Sequence, residues 1–260
     1  MAQIGFDRRR INGPEESFAV IFEDNEEDPS KWKAGMARVG RLPLAIRPIF
    51  LQPGLIEQAN GSAFIETGKT KIAVAIYGPR QSKNIAFHDK GRLNVEVKFA
   101  PFSCQKRRAP IRDAEDRSIA MAIHQAILPS VRLETMPKSV VDIFVTILEA
   151  DGIEGCVAVG SVAASAALVD AGIEVYGLVA STSAAVNGDE LWLDPSNEEA
   201  AQSKGTLVLS SMPALNKITS VWQNGEMLPD QVLAAVDICE KQCVEIHTVV
   251  AEKLRETHSL

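Results

Sequence analysis

Arginine disappears from this chain after Arg132 and does not return until Arg255. The second half therefore lacks the side chain best suited to a bidentate grip on phosphate. The charge is lopsided: residues 1–132 carry 21 Lys and Arg against 15 Asp and Glu, whereas residues 133–260 carry 6 against 19. A net charge of −7 excludes a protein whose whole surface binds nucleic acid, and leaves a basic first half as the part suited to an anion or an acidic partner. Cysteine is scarce, with Cys104, Cys156, Cys239 and Cys243 widely scattered as in a reducing compartment. Cys239 and Cys243 stand one helical turn apart, but no His or Cys elsewhere has matching spacing, so no metal site is expected. The longest apolar run, residues 157–169, is too short to cross a bilayer and contains Gly and Ser. The N-terminal Arg8, Arg9 and Arg10 have no apolar core behind them, so a soluble chain without a cleaved signal or a membrane partner is expected. Neither a GxGxxG nor a P-loop lysine is present, which places a nucleotide-binding small-molecule enzyme last among the functional readings and gives no cofactor.

The chain is organised around residues 148–200. An apolar strand over residues 140–149 meets a loop holding Gly152 and Gly155, and a helix of small residues follows over about 157–170, stopped by Ala171-Gly172. Small side chains let such a helix lie close against a sheet. Strand, glycine loop and helix start form a geometry that holds phosphate, but this loop offers no Arg or Lys.

Strands are predicted over 48–52, 61–66 and 71–77, joined by Gly and Asn-Gly turns as an antiparallel meander, with another over 91–99. An amphipathic helix follows over 114–128, where His124 reads as packed or superficial because no Ser, Cys or paired acid is placed to use it. Beyond the central helix, strands are predicted over 177–186, 190–193, 205–210 and 216–223. Asp194-Pro195-Ser196 opens a turn with Glu198 and Glu199 nearby, read as a helical start rather than a Mg²⁺ site. The final helix, residues 230–256, carries an apolar stripe that a sheet or a partner must cover. The pattern is α+β, with sheet and helix layers and the strand-then-helix order repeated in two halves. Residues 1–34 read as an N-terminal extension and 35–260 as the domain.

Several motifs together resemble the RNase PH family of phosphorolytic exoribonucleases. The run GSAFIETGKTKIAVAIYGPR is similar to the opening of that fold, and the helix ending LVDAG and the later Asp194 are similar to its core. The N-terminal RRxxGPEES resembles one branch, the eukaryotic exosome ring subunit of the mRNA-transport-regulator-three type. Active relatives carry Gly-Gly-Thr/Ser-Arg in the phosphate loop and a second acid six positions after the Asp194 equivalent. Here the loop reads Ile153-Glu154-Gly155-Cys156-Val157, and Ala200 stands at the second place.

The resemblance implies a non-catalytic structural subunit of an RNA exosome core ring, supporting 3′-to-5′ processing and degradation of RNA. It implies neighbours of the same fold, a cap protein with S1 or KH domains, and residence in nucleus, nucleolus and cytoplasm. The alternative is an active phosphate-dependent 3′ exoribonuclease in which Asp194 assists. After Phe102-Ser103, where active relatives place arginines for phosphate and RNA, stand Lys106, Arg107, Arg108 and Arg112, interrupted by Ala109-Pro110. These four are the candidate RNA contacts, read against the simpler alternative of a solvated loop.

Overall fold

A computed structural model describes residues 38, 40–81, 89–104, 107–108, 114–188 and 190–258. The first sheet begins as the predicted meander: β1 (Ile49–Pro53), β2 (Gly61–Thr67) and β3 (Thr70–Gln81) pair antiparallel in turn. Gly68 turns the β2–β3 hairpin at φ +56°, a left-handed conformation that glycine adopts without a Cβ penalty. Beyond it come β4 (Arg92–Phe99), α1 (Ala114–Ile127) and β5 (Ser139–Glu149). Strand β5 inserts between β3 and β4, antiparallel to the first and parallel to the second, giving the order β1-β2-β3-β5-β4. The alternation of β5 made it legible as a strand; its insertion ahead of β4 is a long-range pairing that periodicity does not encode.

Helix α2 (Ile153–Asp170) begins four residues earlier than its sequence suggested, so Gly155 lies in its first turn and not in a loop. The Cys156 N–H already donates to the Gly152 carbonyl at 3.2 Å. The helix is buried almost all round and contacts β2 and β3 of the first sheet and two strands of the second, over residues 180–187 and 205–212. Its serines are satisfied locally: Ser161 Oγ donates to the Val157 carbonyl, and Ser165 Oγ accepts from the Val179 N–H. Its approach to β2 requires Gly61, where a Cβ would stand 2.3 Å from Ala171 N and 2.6 Å from the Ala167 carbonyl oxygen.

The second sheet, order β7-β6-β8-β9, is antiparallel throughout and comprises β6 (Ala180–Asn187), β7 (Glu190–Leu193), β8 (Gly205–Met212) and β9 (Lys217–Gly225), with the hairpins β6–β7 and β8–β9 joined by pairing of β6 with β8. A short helix, α3 (Asn197–Gln202), interrupts it between β7 and β8. Helix α4 (Pro229–His258) buries Ala235, Cys239, Cys243, Ile246, Val250 and Leu254, a stripe at helical spacing that packs on β6 and β8. The sheet itself thus covers the predicted apolar stripe. Ile65, Ile72, Ile76, Ile123, Ile143 and Ile147 fill the space between the first sheet and its helices.

Candidate functional site

The site forms where the segment before β1 crosses the ends of β5, α2 and β7. Asp194 follows β7 at φ +49°. Its main chain is tied down by the Asp194 N–H donating to the Ser183 carbonyl at 2.8 Å. Next, Ser196 caps α3: its Oγ accepts from the Glu199 N–H, and the Glu199 carboxylate accepts from the Ser196 N–H. This capping box fixes Glu199 beside Asp194.

Three arginines converge on these acids. Arg47 donates from Nη2 to Asp194 Oδ1 at 2.5 Å and from Nε to Oδ2 at 2.7 Å, while its backbone N–H reaches Oδ2 at 3.0 Å. Its remaining nitrogen, Nη1, donates to Asp151 Oδ2 at 2.6 Å. Arg41 adds a bond to Asp194 Oδ2 at 3.1 Å. Arg38 forms a fork on Glu199 at 3.0 Å from both Nε and Nη2, and Nη2 also reaches the Asp194 carbonyl at 2.7 Å. Asp151 completes the ring by accepting from the Asn197 N–H at 3.1 Å. Burial alone would push the Asp194 carboxyl up, but the hydrogen bonds and charge of Arg47, with Arg41 behind it, hold it below the usual carboxylate range.

The loop itself carries no Arg or Lys, as its sequence states, but a cation from elsewhere in the chain stands beside it. Arg47 stands against the first turn of α2, with a Cβ on Gly155 lying 3.8 Å from its Nη2. It arrives by passing over the β2–β3 turn, where a Cβ on Gly68 would meet Arg47 Cδ at 2.7 Å. The sequence reading sought an arginine within the loop, and this one comes from about a hundred residues upstream. The available signal was the close spacing of Arg38, Arg41 and Arg47 around RLPLAIR. Glu154, in the first turn of α2, is buried and accepts from Thr206 Oγ1 at 2.9 Å. The helix start therefore presents its own acid.

The basic strip is only partly on the page. Arg107 is exposed; Arg108 is not free, because it lies over the Phe99 ring at 4.0 Å and donates to Glu115 at 2.7 Å, with Asp116 at 3.8 Å. Lys106 and Arg112 lie outside the described residues. The strip is anchored near the site, since the Ala150 N–H at the end of β5 donates to the Ser103 carbonyl at 3.0 Å. His124 is half-buried, with a ring nitrogen 3.2 Å from the Leu93 carbonyl oxygen. Among the described residues, no group of His, Cys, Asp and Glu has the arrangement of a metal site. Burial raises the thiols of Cys156, Cys239 and Cys243, the last to about 11, as suits core cysteines.

A saturated aspartate between two sheets that share a small-residue helix is the arrangement to compare with known proteins. Residues 45–174 match domain 1, and residues 177–242 domain 2, of the 3′ exoribonuclease family known as RNase PH. The chain belongs to this family. It is 33% identical over 252 residues to exosome complex component mtr3 of Schizosaccharomyces pombe, covering 95% of each chain. It is likewise 33% identical over 267 residues to the human exosome complex component MTR3, covering 95% of this chain and 94% of the other. The archaeal Rrp41 of Pyrococcus abyssi is 35% identical over 221 residues, 84% of this chain and 88% of its own. The fold matches rice Rrp46 at TM-score 0.71 and 20% identity, covering 84% and 98%. It also matches an Archaeoglobus fulgidus exosome structure with RNA bound to the active site, at 0.71 and 20%, covering 80% and 89%.

Proposed function

We propose that the chain is a non-catalytic structural subunit of an RNA exosome core ring, supporting 3′-to-5′ processing and degradation of RNA beside other RNase PH-like subunits. The single observation that carries the non-catalytic reading is the occupancy of Asp194. Both of its oxygens are taken by Arg47, with Arg41 added, while Asp151 and Glu199 absorb what those arginines and Arg38 have left. Phosphorolysis needs cations that meet inorganic phosphate and the charge developing in the transition state. Here three guanidinium groups face three carboxylates, and the α2 start adds Glu154. Relatives named as mtr3 components support the ring assignment.

The finer parts of the reading follow from it. Residues 35–260 are the RNase PH-like body and residues 1–34, which lie outside the described residues, are an extension. Lys106, Arg107, Arg108 and Arg112 are the residues through which the chain meets RNA; of the two described, Arg107 is exposed, and Arg108 must give up Glu115 to do so. A cap protein with S1 or KH domains sits on the ring, which works in nucleus, nucleolus and cytoplasm. The test is an assay of purified chain with RNA and inorganic phosphate. No nucleoside diphosphate should be released; phosphate-dependent release by the chain alone would overturn the non-catalytic reading.

A further inference from the structure

Thr67, the last residue of β2, leaves a hydrogen bond to be accounted for. It is 4% exposed, and among the described residues its Oγ1 has no partner. A buried hydroxyl left unmet is costly, and in folded proteins such a group is met by protein or by ordered water.

Thr67 lines a narrow cleft of about 30 Å³ where the two sheets approach each other. Ile65 and Thr67 reach it from the first sheet, Thr182 and Ser183 from β6 of the second, and Val162 and Ile246 from α2 and α4. Ser181 also borders it, but its Oγ already donates to Ser210 Oγ at 2.7 Å. A hydrogen-bonded water needs at least about 10–15 Å³ of such space and roughly two to four polar partners, so the cleft admits water and little that is larger.

The chemistry of the lining selects the occupant. Arg47 and Asp194 border the cleft but are already paired with each other, so it presents no unbalanced charge to an ion. Mg²⁺ or Ca²⁺ would require about six or more oxygen ligands, more than these few hydroxyls supply. An apolar occupant would leave Thr67 Oγ1 unmet.

We infer that the cleft binds a single long-lived water, which pairs with Thr67 Oγ1 and with the hydroxyl of Thr182 or Ser183. It joins β2 of the first sheet to β6 of the second beside the Arg47–Asp194 pair. The packing of the two sheets is thereby given a directional polar contact among apolar ones. This site stands independently of the ring reading, since it is set by the end of one hairpin and by how the sheets meet.

A high-resolution crystal structure of the full chain identifies the occupant. One ordered water should lie within hydrogen-bond distance of Thr67 Oγ1 and of the Thr182 or Ser183 hydroxyl. Thr67 Oγ1 turned onto a protein carbonyl, with no such water, would overturn the assignment, as would a metal ion at the same place. In solution, ¹⁷O relaxation dispersion counts long-lived internal waters. Thr67→Val keeps the shape of the side chain without its hydroxyl and should lose one such water relative to the natural chain, whereas Thr67→Ser should retain it. Equal counts in the natural chain and Thr67→Val sink the proposal, and should Thr67→Val fail to fold, the crystal structure of the natural chain decides the matter without it.

Discussion

Asp194 accepts from two arginine side chains and one backbone N–H, so its removal leaves Arg47, among the described residues, with Asp151 as its one carboxylate partner and Arg41 with only Glu199, at 3.8 Å. Asp194→Ala should therefore cost about 3–5 kcal/mol in urea unfolding, the range for breaking a buried ion pair from one side. The pH dependence has a definite sign. The folded carboxyl titrates below its unfolded value of about 3.9, so its contribution is complete above that pH and is lost as pH falls through the lower folded value. Unfolding measured between about pH 2 and 5 should show this acid-side slope in the natural chain and a shallower one in Asp194→Asn. Little of this centre was legible in the sequence. Asp194 was singled out, and Ala200 was rightly read as no acid, but Glu199 supplies a buried carboxylate one position earlier. The close spacing of the arginines is visible in the sequence, but their partners are not, because an acid up to about 160 residues away leaves no local trace.

Helices and strands were more readable than residues, because burial on one face imposes a period. The meander of β1 to β3, the α1 face and the α4 stripe all follow from alternation or helical spacing. The α2 start did not, since a glycine at φ +94° precedes it and no side chain caps it. The small residues of α2 and β2 make a sharp prediction. A Cβ at Gly61 would collide with helix backbone, whereas one at Gly160 would meet only the tip of Ile123, at 2.8 Å. Gly61→Ala should cost at least about 3 kcal/mol by thermal or urea unfolding, and Gly160→Ala clearly less, because a side-chain end yields where a backbone does not.

For the molecule as a whole, the asymmetry of charge noted at the outset acquires a structural meaning. The arginines of the first half neutralise acids of the second at one centre, while Arg107 is among the described cations of that half that stay exposed. RNA binding by the full chain should be weak, indifferent to base sequence and steeply salt-dependent. Arg107→Ala should lower the slope of log affinity against log salt by about one, as measured by fluorescence anisotropy. Family membership and fold class were legible because the GSA…GPR hairpin spans a whole structural unit; the order of β5 and β4 was not, because topology is set by packing between distant segments. The arginine centre also bears on where the stable body of the protein begins. The recognisable family region spans residues 45–242, yet Arg38 and Arg41 precede it and about four turns of α4, with the buried Cys243, Ile246, Val250 and Leu254, follow it. A fragment cut to those limits would keep a single guanidinium among Asp151, Asp194 and Glu199 and lose Cys243, Ile246, Val250 and Leu254 from the core, so the shortest self-sufficient piece is longer at both ends than homology alone would draw it.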